Sequence, residues 1–305
     1  MNLASHEPKP PLPEQIRQGH FNALARALSY VENEVRGYRE LLESLPFSNR
    51  PVIGITGPPG AGKSTLLNAM IGQLLAGHKK LGILCVDPSS PFTRGALLGD
   101  RIRMSEWYTH PDVFIRSVAT RGGLGGLSPK IIEMTELMKT APFDHIIIET
   151  AGVGQNEIEI AGLADTTVVV MVPEGGDEIQ TMKAGLMEIA DIFVVNKADR
   201  PGADLFIKNI RSTFAPVFHE GREEIPVVKT IASRQEGIAP LLEEITRHES
   251  RLEGSDRKIT LLTEKAYQLI QQDRMKDISK ERLYPLVKTM IEEGNFNLYK
   301  LIGML

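Results

Sequence analysis

Residues 52–65 constrain the fold more tightly than any other stretch. Val52, Ile53 and Ile55 make a short apolar run with the character of a buried strand, and it enters Gly57-Pro58-Pro59-Gly60-Ala61-Gly62-Lys63-Ser64-Thr65. Beyond it Leu66, Leu67, Met70, Ile71, Leu74 and Leu75 recur at helical spacing. The middle stretch fits G-x-x-x-x-G-K-[ST], and a strand before it and a helix after it are the context that pattern requires. Glycines let successive backbone N–H groups turn inward around an anion, and the helix N-terminus adds a positive field. The pattern therefore predicts a phosphate cradle in which Lys63 reaches the β- and γ-phosphates and the Ser64 hydroxyl ligates Mg²⁺.

The same alternation continues down the chain. Apolar runs predict strands at 81–86, 113–118, 145–149, 167–172, 192–195 and 226–230, and helical periodicity predicts helices at 97–109, 129–140, 178–187, 203–214 and 237–252. The strands are continuously apolar rather than alternating, which implies a parallel sheet covered by helices on both faces. The fold class is α/β: a P-loop NTPase with a mostly parallel sheet. We expect a helical extension at 1–50, with a break at Gly19-His20, and a nucleotide domain at 51–253. Residues 254–305 read as helices alone, at 259–275 and 280–293, followed by a short amphipathic turn. Pro285 implies a late start or a kink in the second of these. Such short helices do not bury their apolar faces alone, so they are expected to pack on the main domain or on another chain.

On parallel sheets ligands bind beyond the carboxyl ends of the strands, and the polar motifs fall there. Asn196-Lys197-Ala198-Asp199 fits N-K-x-D directly after a strand. A carboxylate at Asp199 accepts two hydrogen bonds from guanine, N1–H and the 2-amino group, whereas adenine has no matching donor pair. Ala232 and Ser233, after strand 226–230, stand where a second base-contacting loop is expected. Glu149 and Asp87 end buried strands, where a carboxylate needs a cation or hydrogen bonds, and Asp100 lies in the intervening segment. Ser64 with one or two of these acids suffices for Mg²⁺, which keeps several waters. Gly152 is suited to present its N–H to a γ-phosphate. Gln155 either orients water or is an ordinary surface residue. The glycine-rich segments Arg121–Ser128 and Glu174–Lys183 are suited to order–disorder switching when a phosphate leaves. No residue stands out as a general base, so slow hydrolysis accelerated by a partner is expected.

Charge and composition exclude other classes. A formal net charge of −4 gives no basic field for nucleic acid. The single cysteine, Cys85, rules out a disulfide within the chain, and the seven histidines show no metal spacing. No stretch has the length and apolarity of a membrane span. Residues 1–13 are polar and proline-rich without a hydrophobic signal core, so a cytoplasmic protein is expected.

Taken together these segments resemble the methylmalonyl-CoA mutase-associated GTPases of the MeaB/ArgK type. They are P-loop GTPases of the dimerising SIMIBI class that includes the signal-recognition GTPases. The resemblance is carried by the phosphate loop and by Val86-Asp87-Pro88-Ser89-Ser90-Pro91-Phe92 and Leu98-Gly99-Asp100-Arg101-Ile102-Arg103-Met104. It continues through Ala119-Thr120-Arg121-Gly122, Glu149-Thr150-Ala151-Gly152-Val153-Gly154-Gln155 and Asn196-Lys197-Ala198-Asp199. The resemblance implies binding and hydrolysis of GTP with Mg²⁺, leaving GDP. It also implies association with an adenosylcobalamin-dependent acyl-CoA mutase, whose cofactor loading such proteins gate and which they protect and reactivate. Carried over by motif, Lys63, Asp87, Glu149 and Gly152 are catalytic, and Ser64, Asp87, Asp100 and Glu149 lie near the metal. Arg121, Gly122, Gly175, Gly176, Asp177, Gln180 and Lys183 belong to switch segments, with Lys183 pairing with Glu149 in one state. The C-terminal helices match a homodimerisation arm. The competing readings are a nickel-insertion GTPase, which wants Cys/His clusters, a small-molecule P-loop kinase, which has little use for N-K-x-D, and a nucleotide-sensing scaffold with negligible turnover.

Overall fold

The computed structural model describes residues 11–87, 104–120, 127–152, 157–173, 186–218, 225–252 and 256–304, the side chains of 157, 158, 186, 187 and 213–218 excepted. Among these residues the strands are β1 (Val52–Thr56), β2 (Leu81–Asp87), β3 (Val113–Ala119), β4 (His145–Glu149), β5 (Thr166–Met171), β6 (Ile192–Val195) and β7 (Val227–Lys229). They form one seven-stranded sheet in the order β3-β2-β4-β1-β5-β6-β7. Every neighbouring pair is parallel. Each residue of β1, β2, β5 and β6 is buried, as strands covered on both faces require. β1 sits fourth of the seven, which puts the loop after it at the middle of the sheet's carboxyl edge.

The N-terminal helices are α1 (Leu12–Arg17), α2 (Phe21–Glu32) and α3 (Tyr38–Glu43). The expected break at Gly19-His20 is present, and a second follows at Glu34–Gly37, where Glu34 and Gly37 both adopt positive φ (49° and 91°). The helical periodicity of 14–46 hides that second break, because the apolar positions keep their phase across it. α2 is tied to the sheet through Arg116 of β3, whose Nη2 donates to Glu32 Oε2 (2.7 Å) and Ser29 Oγ (3.2 Å).

α4 (Lys63–Ala76) follows β1, and α5 (Ile131–Met138) precedes β4 and packs on α2. α6 (Leu186–Ile189) leads into β6, α7 (Ala203–Phe218) links β6 to β7, and α8 (Ile238–Leu252) follows β7. Leu66, Met70 and Ile71 of α4 and Leu241 and Ile245 of α8 share one core with Ile53, Ile55, Ile83, Cys85, Ile147, Val168 and Val194. Phe206, Ile207 and Ile210 of α7 pack with Val169, Met171, Phe193 and Val195. The helix expected at 97–109 is described only from Met104, where Ser105–Trp107 is a single 3₁₀ turn. Most of that expected at 178–187 lies outside the described residues.

The chain divides into two compact units at 255/256. The second holds α9 (Asp256–Met275), α10 (Lys280–Glu292) and α11 (Leu298–Gly303). α10 does not start late at Pro285. Ser279 in an extended conformation caps it, its Oγ accepting from Arg282 N at 3.2 Å, and Pro285 lies within the helix. Gly294 (φ 70°) ends it, with Asn295 N donating to Met290 O at 3.0 Å.

Candidate nucleotide site

The loop between β1 and α4 is shaped by three glycines with positive φ: Gly57 (139°), Gly60 (76°) and Gly62 (89°). At Gly57 a Cβ would overlap the carbonyl of Val170, and at Gly62 it would overlap the Asn196 amide, so backbone freedom and close approach are both needed. Gly62 is the N-cap of α4, whose first turn begins at Lys63. Leu66 N donates to Gly62 O at 2.8 Å, closing the first turn of the helix on the loop. Pro58 and Ala61 are buried, whereas Pro59, Gly60 and Thr65 are exposed.

Lys63 is 7% exposed, and its Nζ donates to Gly57 O (2.7 Å) and Pro58 O (3.1 Å). Gly152 lies against it: a side chain there would overlap Lys63 Nζ, and Gly152 itself has φ 67°. The ammonium is thus held where the loop after β1 meets the loop after β4. Those two strand ends are further joined by Thr150, whose N donates to Ile55 O (3.0 Å) and whose Oγ1 donates to Thr56 Oγ1 (3.1 Å).

Ser64, Glu149 and Asp87 are all buried. Ser64 Oγ donates to Glu149 Oε1 at 2.7 Å. Glu149 is in register with Cys85, and Asp87 is two residues further along β2, so both carboxylates share the sheet face of Cys85, which α4 covers. A serine hydroxyl and two carboxylates are an all-oxygen donor set, which fits Mg²⁺ and leaves coordination for water and phosphate. Among the described residues no three His, Cys, Asp or Glu side chains gather into a metal-binding group, so the metal-insertion reading finds no support there. Asp100, Gln155, Arg121, Gly122, Gly175, Gly176, Asp177, Gln180 and Lys183 lie outside the described residues.

On the other side of the cradle, Asn196 is 2% exposed and uses both ends of its amide. Its Nδ2 donates to Ala61 O (2.9 Å), and its Oδ1 accepts from Thr230 Oγ1 and Ala232 N, both at 3.1 Å. Lys197, in a left-handed conformation (φ 55°), donates to Gly60 O at 2.8 Å. Both side chains therefore brace the phosphate loop against the loop after β7. Asp199 is exposed and lies 3.7 Å from Arg234 Nη2. Ala232 and Arg234 bound a 3₁₀ turn that contains the exposed Ser233. Arg234 and Thr230 were not expected from sequence. Nothing in the residue types marks them, because their role depends on the end of β7 closing on the end of β6.

The arrangement brings together, at one edge of one sheet, a glycine-rich loop of phosphate-cradle pattern, a buried ammonium, an oxygen donor set and an exposed carboxylate beyond Asn196 and Lys197. The family model described as "Methylmalonyl Co-A mutase-associated GTPase MeaB" matches residues 24–289. A protein of Pyrococcus abyssi that carries the name of a GTPase is 43% identical over 288 residues, 93% of this chain and 87% of that one. GTPase ArgK of Escherichia coli is 40% identical over 191 residues, 61% of this chain and 58% of its own. The "Fused isobutyryl-CoA mutase" of Geobacillus kaustophilus is 35% identical over 236 residues, 72% of this chain and 22% of that protein. The solved structure of a LAO/AO transport system kinase superposes with a TM-score of 0.68 at 24% identity, covering 96% of this chain and 94% of its own, a likeness of fold.

Proposed function

The chain belongs to the methylmalonyl-CoA mutase-associated GTPase family, and from that premise we propose that it is a GTPase chaperone of an adenosylcobalamin-dependent acyl-CoA mutase. In this reading it gates loading of the mutase's cofactor and protects and reactivates the enzyme. One observation carries the mutase half of the reading. In the Geobacillus protein, a segment similar to 72% of this chain belongs to a polypeptide named for an isobutyryl-CoA mutase.

The residues of the site have these proposed roles. Backbone N–H groups of 57–65, at the start of α4, hold the phosphates, and Lys63 neutralises charge on the transferred phosphoryl group. Gly152 presents its N–H beside Lys63 with no side chain in the way. Asp199 reads the guanine edge, while Asn196 and Lys197 fix the loop that carries it. Ala232 and Ser233 close over the base. Ser64, Asp87 and Glu149 hold Mg²⁺, directly or through water, and Asp100 joins them. A Mg²⁺ ion held there would supply positive charge to offset that of the phosphates. Glu149, held to Ser64 Oγ, keeps that hydroxyl oriented. The segments with Arg121, Gly122, Gly175, Gly176, Asp177, Gln180 and Lys183 report the nucleotide state to the mutase. Intrinsic hydrolysis is slow, because the described site supplies charge and positioning without a general base. The mutase supplies what is missing.

The second unit is the proposed homodimer surface. Tyr267, Ile270, Met275, Ile291 and Ile302 are each more than half exposed, an apolar display that water does not favour. We place the protein in the cytoplasm, where a single buried, free thiol such as Cys85 is at home. No helix of the described residues is long and apolar enough to cross a membrane.

The reading is tested with the purified protein and an adenosylcobalamin-dependent acyl-CoA mutase from the same source. Size-exclusion with light scattering is run in GDP and in a non-hydrolysable GTP analogue. A complex whose affinity depends on the nucleotide supports the proposal, and no complex with either nucleotide refutes it.

A further inference from the structure

Arg234 and Asp199 meet at 3.7 Å (Nη2 to Oδ2), from the loops that leave two neighbouring strands, β7 and β6. Their side chains are 61% and 39% exposed. An ion pair so open to water adds little to the stability of a fold. Its consequence lies instead in what it does to the carboxylate.

Both members stand on fixed backbone. Asp199 lies in a turn that Arg200 N closes onto Lys197 O at 3.0 Å, with Ala198 N held by Thr230 O at 3.1 Å. Arg234 ends the 3₁₀ turn, its N donating to Ile231 O at 2.8 Å. Behind that turn Ile231 and Glu236 exchange two backbone hydrogen bonds, at 3.1 and 3.3 Å. Gly237 (φ 77°) then passes so close to the end of β7 that a Cβ there would overlap the Lys229 carbonyl. Asn196 ties the two loops together. Asp199 is three residues beyond it in the chain, and its Oδ1 fixes Ala232 N, two residues before Arg234. The backbone under each side chain is therefore set, and the remaining freedom is rotation about side-chain bonds.

That rotation matters for reading a base. A separation of 3.7 Å exceeds a hydrogen bond, so the guanidinium attracts the carboxylate as a charge without occupying its lone pairs. A carboxylate has about four acceptor positions, so both oxygens remain for the two donors on the guanine edge. An exposed aspartate without a neighbouring cation spreads over several rotamers, and pairing with two donors at once requires one of them. Ordering that side chain only on binding costs affinity. Resting on the reading that Asp199 accepts from guanine, we propose that Arg234 is a specificity-determining positioning residue. It holds the Asp199 carboxylate in the orientation that meets both guanine donors.

The test is calorimetric titration of the full chain, in Mg²⁺, with GDP and with inosine diphosphate, which lacks the 2-amino group. Arg234→Ala should weaken GDP by about fivefold, the scale of an exposed ion pair, and narrow the preference for GDP over inosine diphosphate. Arg234→Lys keeps the charge and should retain most of the affinity. Asp199→Ala should weaken GDP by at least about tenfold, and adding Arg234→Ala to it should cost nothing further, because Arg234 acts only through that carboxylate. The inference alone is overturned if Asp199→Ala loses GDP affinity while Arg234→Ala binds as wild type. It is also overturned if the loss from Arg234→Ala persists in the Asp199→Ala background, which would make Arg234 a direct contact or a structural support. Wild-type GDP affinity in Asp199→Ala would instead remove the base-reading assignment, and this inference with it.

Discussion

Asn196 shows how one side chain joins the parts of a nucleotide site. Its amide nitrogen holds Ala61 of the phosphate loop, and its oxygen holds Thr230 and Ala232 of the loop after β7. Three loops from distant parts of the chain thus become one rigid rim, and Asp199 projects from it beside Arg234. The sequence reading gave Asn196 a part in nucleotide binding; in the structure its amide also braces the loops around that site. Asp199 is proposed to read the base, and its test is an exchange of nucleotide specificity. Asp199→Asn replaces a carboxylate acceptor with an amide that presents a donor as well as an acceptor to the guanine edge. GTP affinity should fall by 100-fold or more, on the order of 3 kcal/mol for a buried polar mismatch, and xanthosine triphosphate should bind better than GTP. Competitive binding with a fluorescent nucleotide measures both. A variant that keeps the wild-type preference contradicts the assignment.

At the scale of elements, most of the fold was legible because its signals are local. The strands are unbroken runs of Val, Ile and Leu, and a parallel sheet buried on both faces demands that composition. The phosphate loop was legible because glycine, lysine and serine at fixed spacing have few other uses before a helix. What was not legible depends on closure in three dimensions: the second break near Gly37, the bracing of Gly60 by Lys197, and the Asp199–Arg234 pair. α8 adds an example with a measurable consequence. Near its end Glu249 is half-buried close to Asp165, with Oε1 making no hydrogen bond, and desolvation pushes its pKa up to about 7, with the Asp165 charge adding to the shift. The folded chain then binds this proton more tightly than the unfolded chain. Its contribution to stability is full below the unfolded value of 4.5, declines as pH rises and is gone above about 7. The total is on the order of 3 kcal/mol. Glu249→Gln removes the ionisation. It should leave the urea midpoint near wild type at pH 5 and raise it at pH 8. An equal shift at both pH values would show that Glu249 acts through packing alone.

The whole molecule is a P-loop GTPase unit followed by a helical unit with an exposed apolar surface. The proposed partner of that surface is another copy of the chain. Substituting Ile270→Asp and Ile291→Asp together, both already exposed, should convert a dimer to a monomer by light scattering while circular dichroism stays unchanged. A dimer that persists would move the interface elsewhere. The site itself points to a sensor more than to a fast catalyst. In the proposed reading its described residues would position phosphate, a metal and guanine, and none of them is assigned as a general base. We propose slow turnover that a partner accelerates. The most direct measurement is the steady-state rate of GTP hydrolysis by wild type and by Lys63→Ala, each with and without a purified adenosylcobalamin-dependent acyl-CoA mutase. Slow hydrolysis is expected of wild type alone, with at least about a tenfold acceleration by the mutase, and no hydrolysis by Lys63→Ala in either condition. A wild-type rate indifferent to the mutase, or a Lys63→Ala rate equal to wild type, would contradict it.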